Sequence, residues 1–103
     1  MPIARKGILD DLITEAVRLD ATALEVEYNA GFEEVVVFHG GVGWGLRRFR
    51  SASPEAIALR ELLFAMSKRK KHRVHIDGGV ITVQVMVHDS FGEAAFRLEC
   101  RRV

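Results

Sequence analysis

From Ile8 to Leu19 the apolar residues Ile8, Leu9, Leu12, Ile13, Ala16, Val17 and Leu19 recur at three- and four-residue spacing, with Asp10, Asp11, Thr14, Glu15 and Arg18 between them. That period lays one apolar stripe along an α-helix. Asp10 and Asp11 suit the positive end of its dipole and Arg18 the negative end. The period then falls to two: Leu24, Val26 and Tyr28 alternate with Glu25 and Glu27, which predicts a half-buried strand. Asn29-Ala30-Gly31 carries turn chemistry, so a hairpin leads into a second strand over Phe32–His39. Within it Val35-Val36-Val37-Phe38 is apolar on both faces, the pattern of a strand covered twice or packed near a partner. Gly40-Gly41 marks the next turn and Val42 to Phe49 a third strand.

Ser53-Pro54-Glu55 is a helix start: serine caps free N–H groups, proline is preset for the first helical position and glutamate meets the dipole. Ile57, Leu59, Leu62, Leu63 and Met66 are its expected buried face, and it is expected to end near Lys71. Strands follow over Arg73 to Asp77, Val80 to His88 and Glu93 to Arg101, with Asp77-Gly78-Gly79 and Asp89 to Gly92 as turns. The prediction is one α+β domain over residues 1–103, two helices on a largely antiparallel sheet of about six strands in the order αβββαβββ. That order, with a glycine pair in each half, hints at a duplication, although residue identity between the halves is low.

At 103 residues and 49% hydrophobic, the chain suits a single core. A net charge of +1 supplies no long-range field for nucleic acid or a membrane surface. Cys100 is the only cysteine, which rules out an internal disulfide, and nothing resembles a signal peptide. No apolar run approaches the roughly 20 residues of a membrane span, so the expectation is a cytoplasmic protein without membrane insertion.

Candidate chemistry is sparse. Gly40-Gly41-Val42-Gly43-Trp44-Gly45 would need a helix directly after it to cradle phosphate, and Leu46-Arg47-Arg48-Phe49-Arg50 reads as extended. No Gly-x-x-x-x-Gly-Lys-Ser/Thr motif occurs. His72 and His75 sit three apart in a strand and point to opposite faces, so with His39 and His88 they form no ligand set. Cys100 shares a strand face with Phe96 and Leu98 and reads as a buried small hydrophobe. His75, Asp77 and Glu93 are the nearest approach to an acid–base group, and Asp77 is explained by its turn. No enzyme activity, cofactor or metal is expected. The remaining charge signal is basic: Lys68, Arg69, Lys70, Lys71 and Arg73, with Arg47, Arg48 and Arg50, could form an anion or nucleic-acid patch.

Leu12 to Glu27, with Glu15-Ala16 in the helix and Asp20-Ala21-Thr22-Ala23-Leu24-Glu25-Val26-Glu27 after it, resembles the opening of the N-terminal domain of type II secretion and type IV pilus ATPases. There a Glu-Ala-x-x-x-Gly-Ala-Ser-Asp-Ile-His-Ile-Glu segment leads into the first strand. Asp77-Gly78-Gly79, the strand Val80 to Val87, and Gly92-Glu93 before Ala95-Phe96-Arg97-Leu98 resemble its closing strands. Ala23 and Glu25 replace the family's Asp and His, Gly40 takes the Asp place in its Asp-Gly turn, and Val36 and Phe38 stand where the family presents arginines, some of which reach nucleotide. The chain stops where the family continues into its ATPase core, so it reads as a stand-alone relative or divergent fragment. The resemblance implies a protein-binding or assembly module, homo- or hetero-oligomeric, without the ATPase role. Its expected interaction surface is Val36 and Phe38 with the neighbouring Trp44.

Overall fold

The computed structural model describes residues 7–69 and 71–103. Its elements are α1 (Ile8–Arg18), β1 (Ala23–Asn29), β2 (Phe32–His39), β3 (Val42–Arg50), α2 (Pro54–Ser67), β4 (Lys71–Ile76), β5 (Gly79–Ser90) and β6 (Glu93–Arg102). The predicted α+β class and the order αβββαβββ hold. One six-stranded antiparallel sheet runs β3-β2-β1-β6-β5-β4.

Four hairpins share one turn geometry. Ala30-Gly31, Gly40-Gly41, Asp77-Gly78 and Phe91-Gly92 all have two positive φ angles, 50° to 58° at the first residue and 78° to 88° at the second. Such two-residue turns match the right-handed twist of the flanking strands and lock their register. The last turn is therefore tighter than the expected Asp89 to Gly92, and β5 runs on to Ser90.

The alternation of each strand sorts its side chains. Leu24 and Val26, Val35 and Val37, Ile81, Val83 and Val85, and Phe96, Leu98 and Cys100 point to one face and are buried. Against them lie Leu9, Leu12, Ile13, Ala16 and Val17 of α1, and Ala56, Leu59 and Leu63 of α2. The first strand of the chain pairs with the last: Leu24 faces Leu98 and Val26 faces Phe96 in register. Each half reads third strand, second strand, first strand across the sheet, but the antiparallel β1–β6 pairing makes equivalent strands run in opposite directions. With both helices on one side, no single rotation superposes the halves, so the hint of duplication has no counterpart in the arrangement.

The second helix starts as expected, with Ser53 Oγ accepting from the Ala56 N–H at 3.1 Å and Pro54 in its first turn. It ends at Ser67, not near Lys71, and no basic residue lies in its last turn. His72 explains the early stop. Its Nε2 lies 2.7 Å from the Met66 carbonyl and 3.0 Å from that of Arg69, so the Nε2–H tautomer donates to carbonyls at the helix end, that of Met66 also accepting from the Arg69 N–H at 3.2 Å. Ile57 and Leu62, expected inside, are exposed, because α2 lies on the sheet along a narrow stripe of Ala56, Leu59 and Leu63.

Phe91 is fully exposed with φ of 52°, a left-handed conformation that costs a side chain with Cβ roughly 1–2 kcal/mol. Replacing it by Asn, which tolerates that region, is expected to raise stability by about 0.5–1 kcal/mol in urea unfolding.

Candidate interaction surface

Both helices pack on one side of the sheet, so its other face is uncovered by any described element. Cross-strand registers lay that face out in rows. Gly43, Phe38, Ala23, Glu99, Gln84 and Lys71 form one row, and Gly45, Val36, Glu25, Arg97 and Met86 the next. Val36, Phe38 and Met86 are half-buried and Ala23 and Ala95 are buried, which leaves a small apolar centre. The glycines of β3 shape it: a Cβ at Gly43 would come within 2.6 Å of the Phe38 ring, so the ring lies across β3 in the space that the missing side chain leaves.

Charges of alternating sign surround this centre. Arg97 donates to Glu25 at 2.6 Å and reaches Glu99 at 3.5 Å, and its guanidinium lies 5.5 Å from the centre of the Phe38 ring. The hydrogen bond to Glu25 raises the Arg97 pKa further and keeps it charged. Arg48 stacks over Phe32 at 4.0 Å, and in register it faces Glu34. Ser90 donates to Glu27 at 2.6 Å. Five acidic side chains, Glu25, Glu27, Glu34, Glu93 and Glu99, thus share the face with Arg48, Arg50, Arg97, Arg101, Lys71 and Arg73.

The expected trio of Val36, Phe38 and Trp44 is divided. Val36 and Phe38 lie on the open face, whereas Trp44 pairs with Val37 and so points to the helix side, where it is 38% exposed. The basic patch is divided more widely. Arg48 and Arg50 are on β3 and Lys71 and Arg73 on β4, opposite edges of the sheet about 24 Å apart at five strand spacings. Arg47 turns to the helix side and pairs with Glu15 of α1 at 2.8 Å. Lys68 and Arg69 follow the end of α2, and Lys70 lies outside the described residues. The seven described residues do not form one surface.

His75, Asp77 and Glu93 do not meet either. His75 faces Val80 and Glu93 faces Ser90, ten residues along β5 and so about 33 Å apart. Asp77 accepts two hydrogen bonds from Arg18, at 2.7 and 3.0 Å, tying the end of α1 to the β4–β5 turn. His72 and His75 occupy opposite faces of β4, through their pairing with Val83 and Val80. Cys100 is buried, and loss of solvation pushes its thiol from 9.0 up to about 11.

One polar group escaped sequence reasoning. Glu33 is the buried acid of the sheet, 2% exposed on the helix side of β2. Arg60 of α2 meets it at 3.0 Å and Ser51 donates to it at 2.9 Å, while Arg60 also donates to the Ser51 carbonyl at 3.1 Å. The parity of β2, which puts Glu33 on the same face as Val35 and Val37, carried the signal. A cavity of about 360 Å³ opens beside this cluster, between Tyr28, Phe64 and Glu93. All the buried side-chain nitrogen and oxygen atoms of the described residues have partners, so the Glu33 cluster is already satisfied as it stands.

No family model matches the chain, and no curated protein does. Among the described residues no helix is long and apolar enough to cross a membrane.

Three outcomes test these assignments. Arg60→Ala strands the Glu33 carboxylate and is expected to cost about 2 kcal/mol in urea unfolding, below the range for a fully buried pair because Arg60 is partly exposed. Arg18→Ala, at an exposed pair, should leave the unfolding midpoint nearly unchanged. For Cys100 the unfolded thiol ionises near 9.0 and the folded one near 11, so the thiol is neutral in both states below the first value. Stability should then fall as pH rises between those values, and fall less in Cys100→Ala, as read from urea midpoints at each pH.

Proposed function

We propose that the chain is a non-catalytic assembly module that binds a partner protein through the open face of its sheet. The observation that carries this reading is the small apolar centre at Val36, Phe38 and Met86, ringed by paired charges of both signs. A desolvated centre with a polar rim is how proteins recognise proteins. Phosphate-rich partners instead favour a surface of one sign, and Glu25, Glu27, Glu34, Glu93 and Glu99 interrupt the arginines here. The division of the basic residues between opposite sheet edges further disfavours an anion or nucleic-acid module.

The resemblance to the N-terminal domain of secretion and pilus ATPases supports the same reading and suggests the partner class: a subunit of such an assembly, with this chain supplying contact instead of ATP hydrolysis. Val36 and Phe38, in place of nucleotide-facing arginines, turn that strand from an anion contact to an apolar one.

The test is co-purification from the native organism with quantified recovery of a secretion or pilus ATPase. Wild type should retain it, and Val36→Glu with Phe38→Ser should reduce recovery at least tenfold while circular dichroism stays unchanged. Equal recovery by the double variant would remove the open face from the reading, and recovery of no such ATPase would remove the partner class.

A further inference from the structure

On the opposite layer from the open face, α2 has a second uncovered surface. Ile57 is 45% exposed and Ala58 and Ala65 are exposed beside it, while Leu62 and Phe64, 39% and 46% exposed, line the two flanks, Phe64 with its ring edge-on to Phe96 at 4.9 Å. Ala56, Leu59 and Leu63 fill the inward stripe, so α2 is apolar nearly all round. Isolated exposed apolar residues are ordinary, but a helix apolar on every side is the pattern of one covered on both sides. Between Ile57 and Ala65 the outward surface holds a single charge, Glu61, since Arg60 is turned inward to Glu33.

We infer that this outer face docks a second copy of the chain, the two α2 helices packing antiparallel about a two-fold axis. Charge selects that occupant. Glu55 and Glu61 lie along the first part of α2, Lys68 and Arg69 just beyond its end, and none of the four is in an ion pair among the described residues. Antiparallel pairing sets each acidic portion against the partner's basic end and opposes the two helix dipoles, and the two-fold axis makes every such contact twice. With the axis beside residue 63, Glu61 faces the partner's Ala65 and comes within one helical turn of its Lys68. Ala58 and Ala65 permit the close approach, near 8 Å between axes, that such packing uses.

A purely anionic membrane surface fits the same face poorly, because Glu61 would sit at its centre. The sheet edges are poor alternatives as well. Arg48 and Arg50 on β3, and Lys71 and Arg73 on β4, would meet like charges in antiparallel edge pairing. One 14-residue helix is about 21 Å long and buries less than the roughly 800 Å² per partner of a standard interface, so the dimer is a weak one.

Sedimentation equilibrium of the full chain from about 5 μM to about 1 mM tests this. A monomer–dimer equilibrium that weakens with added salt is expected. Glu61→Lys should weaken it roughly tenfold, counting two altered contacts per dimer. Glu61→Lys with Lys68→Glu should restore it to within about twofold, and Ile57→Asp should weaken it independently. A strict monomer throughout, an unchanged constant in Glu61→Lys, or no recovery in the charge-swapped variant overturns the inference. So does Ile57-dependent binding to phosphatidylserine vesicles without dimerisation, which would give the face to a membrane. Val36→Glu with Phe38→Ser should leave the dimer intact; its loss there would move self-association to the sheet and overturn the α2 interface, whereas loss of the ATPase partner with an intact dimer bears on the open face alone.

Discussion

The pairing of β1 with β6 is the constraint on which the rest of the molecule depends. It joins the first strand to the last across more than 70 residues of chain, and only through it do two three-stranded meanders become one sheet. Leu24, Val26, Phe96 and Leu98 meet there, each 1% exposed or less, and supply the deepest part of the core. A strand pair so distant in sequence pays a large loop-closure entropy, offset by burying these four side chains together. Local hairpins can form early because their two-residue turns fix register; the seam cannot, since it needs both halves in place.

The seam also explains α2. With β1 and β6 at the centre, β3 and β4 become opposite edges, and the chain leaving β3 must cross the whole sheet before β4 can begin. Five strand spacings amount to about 24 Å, and the 14 residues of α2 to about 21 Å. The helix is thus as long as the crossing it makes. A helix laid over a sheet in this way touches it along one stripe, so an apolar composition on every side leaves Ile57 outward and Leu62 and Phe64 part-exposed on the flanks.

Much of this was legible in the residues. The three-and-four spacing of α1, the Ser53-Pro54-Glu55 start of α2 and the period-two strands all express local backbone physics, and each recurs within a residue or two of its expected place. Arrangement in space was not legible, because strand order depends on the β1–β6 pairing and no local pattern encodes it. Arg48 and Arg50 therefore read as one patch with Lys71 and Arg73, although the two pairs lie at opposite edges. Trp44 is a different case. A two-residue turn at Gly40-Gly41 sets Val37 opposite Trp44 by counting alone, so the parity that separates Trp44 from Val36 and Phe38 was present in the sequence. Glu33 was readable by the same parity, though not its partners on α2 and at the end of β3.

Those partners resolve a difficulty that apolar packing leaves open. A helix with apolar residues all round could rotate and still bury a comparable area, so burial alone does not choose the stripe of Ala56, Leu59 and Leu63. Arg60 chooses it. Its guanidinium satisfies a carboxylate that is 2% exposed and cannot be left unpaired, and its second contact to the Ser51 carbonyl fixes the helix to the loop that precedes it. Any other rotation strands Glu33. The ion pair therefore contributes little net stability compared with an apolar pair of equal volume, yet it decides which side of α2 is core and which side is offered to a partner.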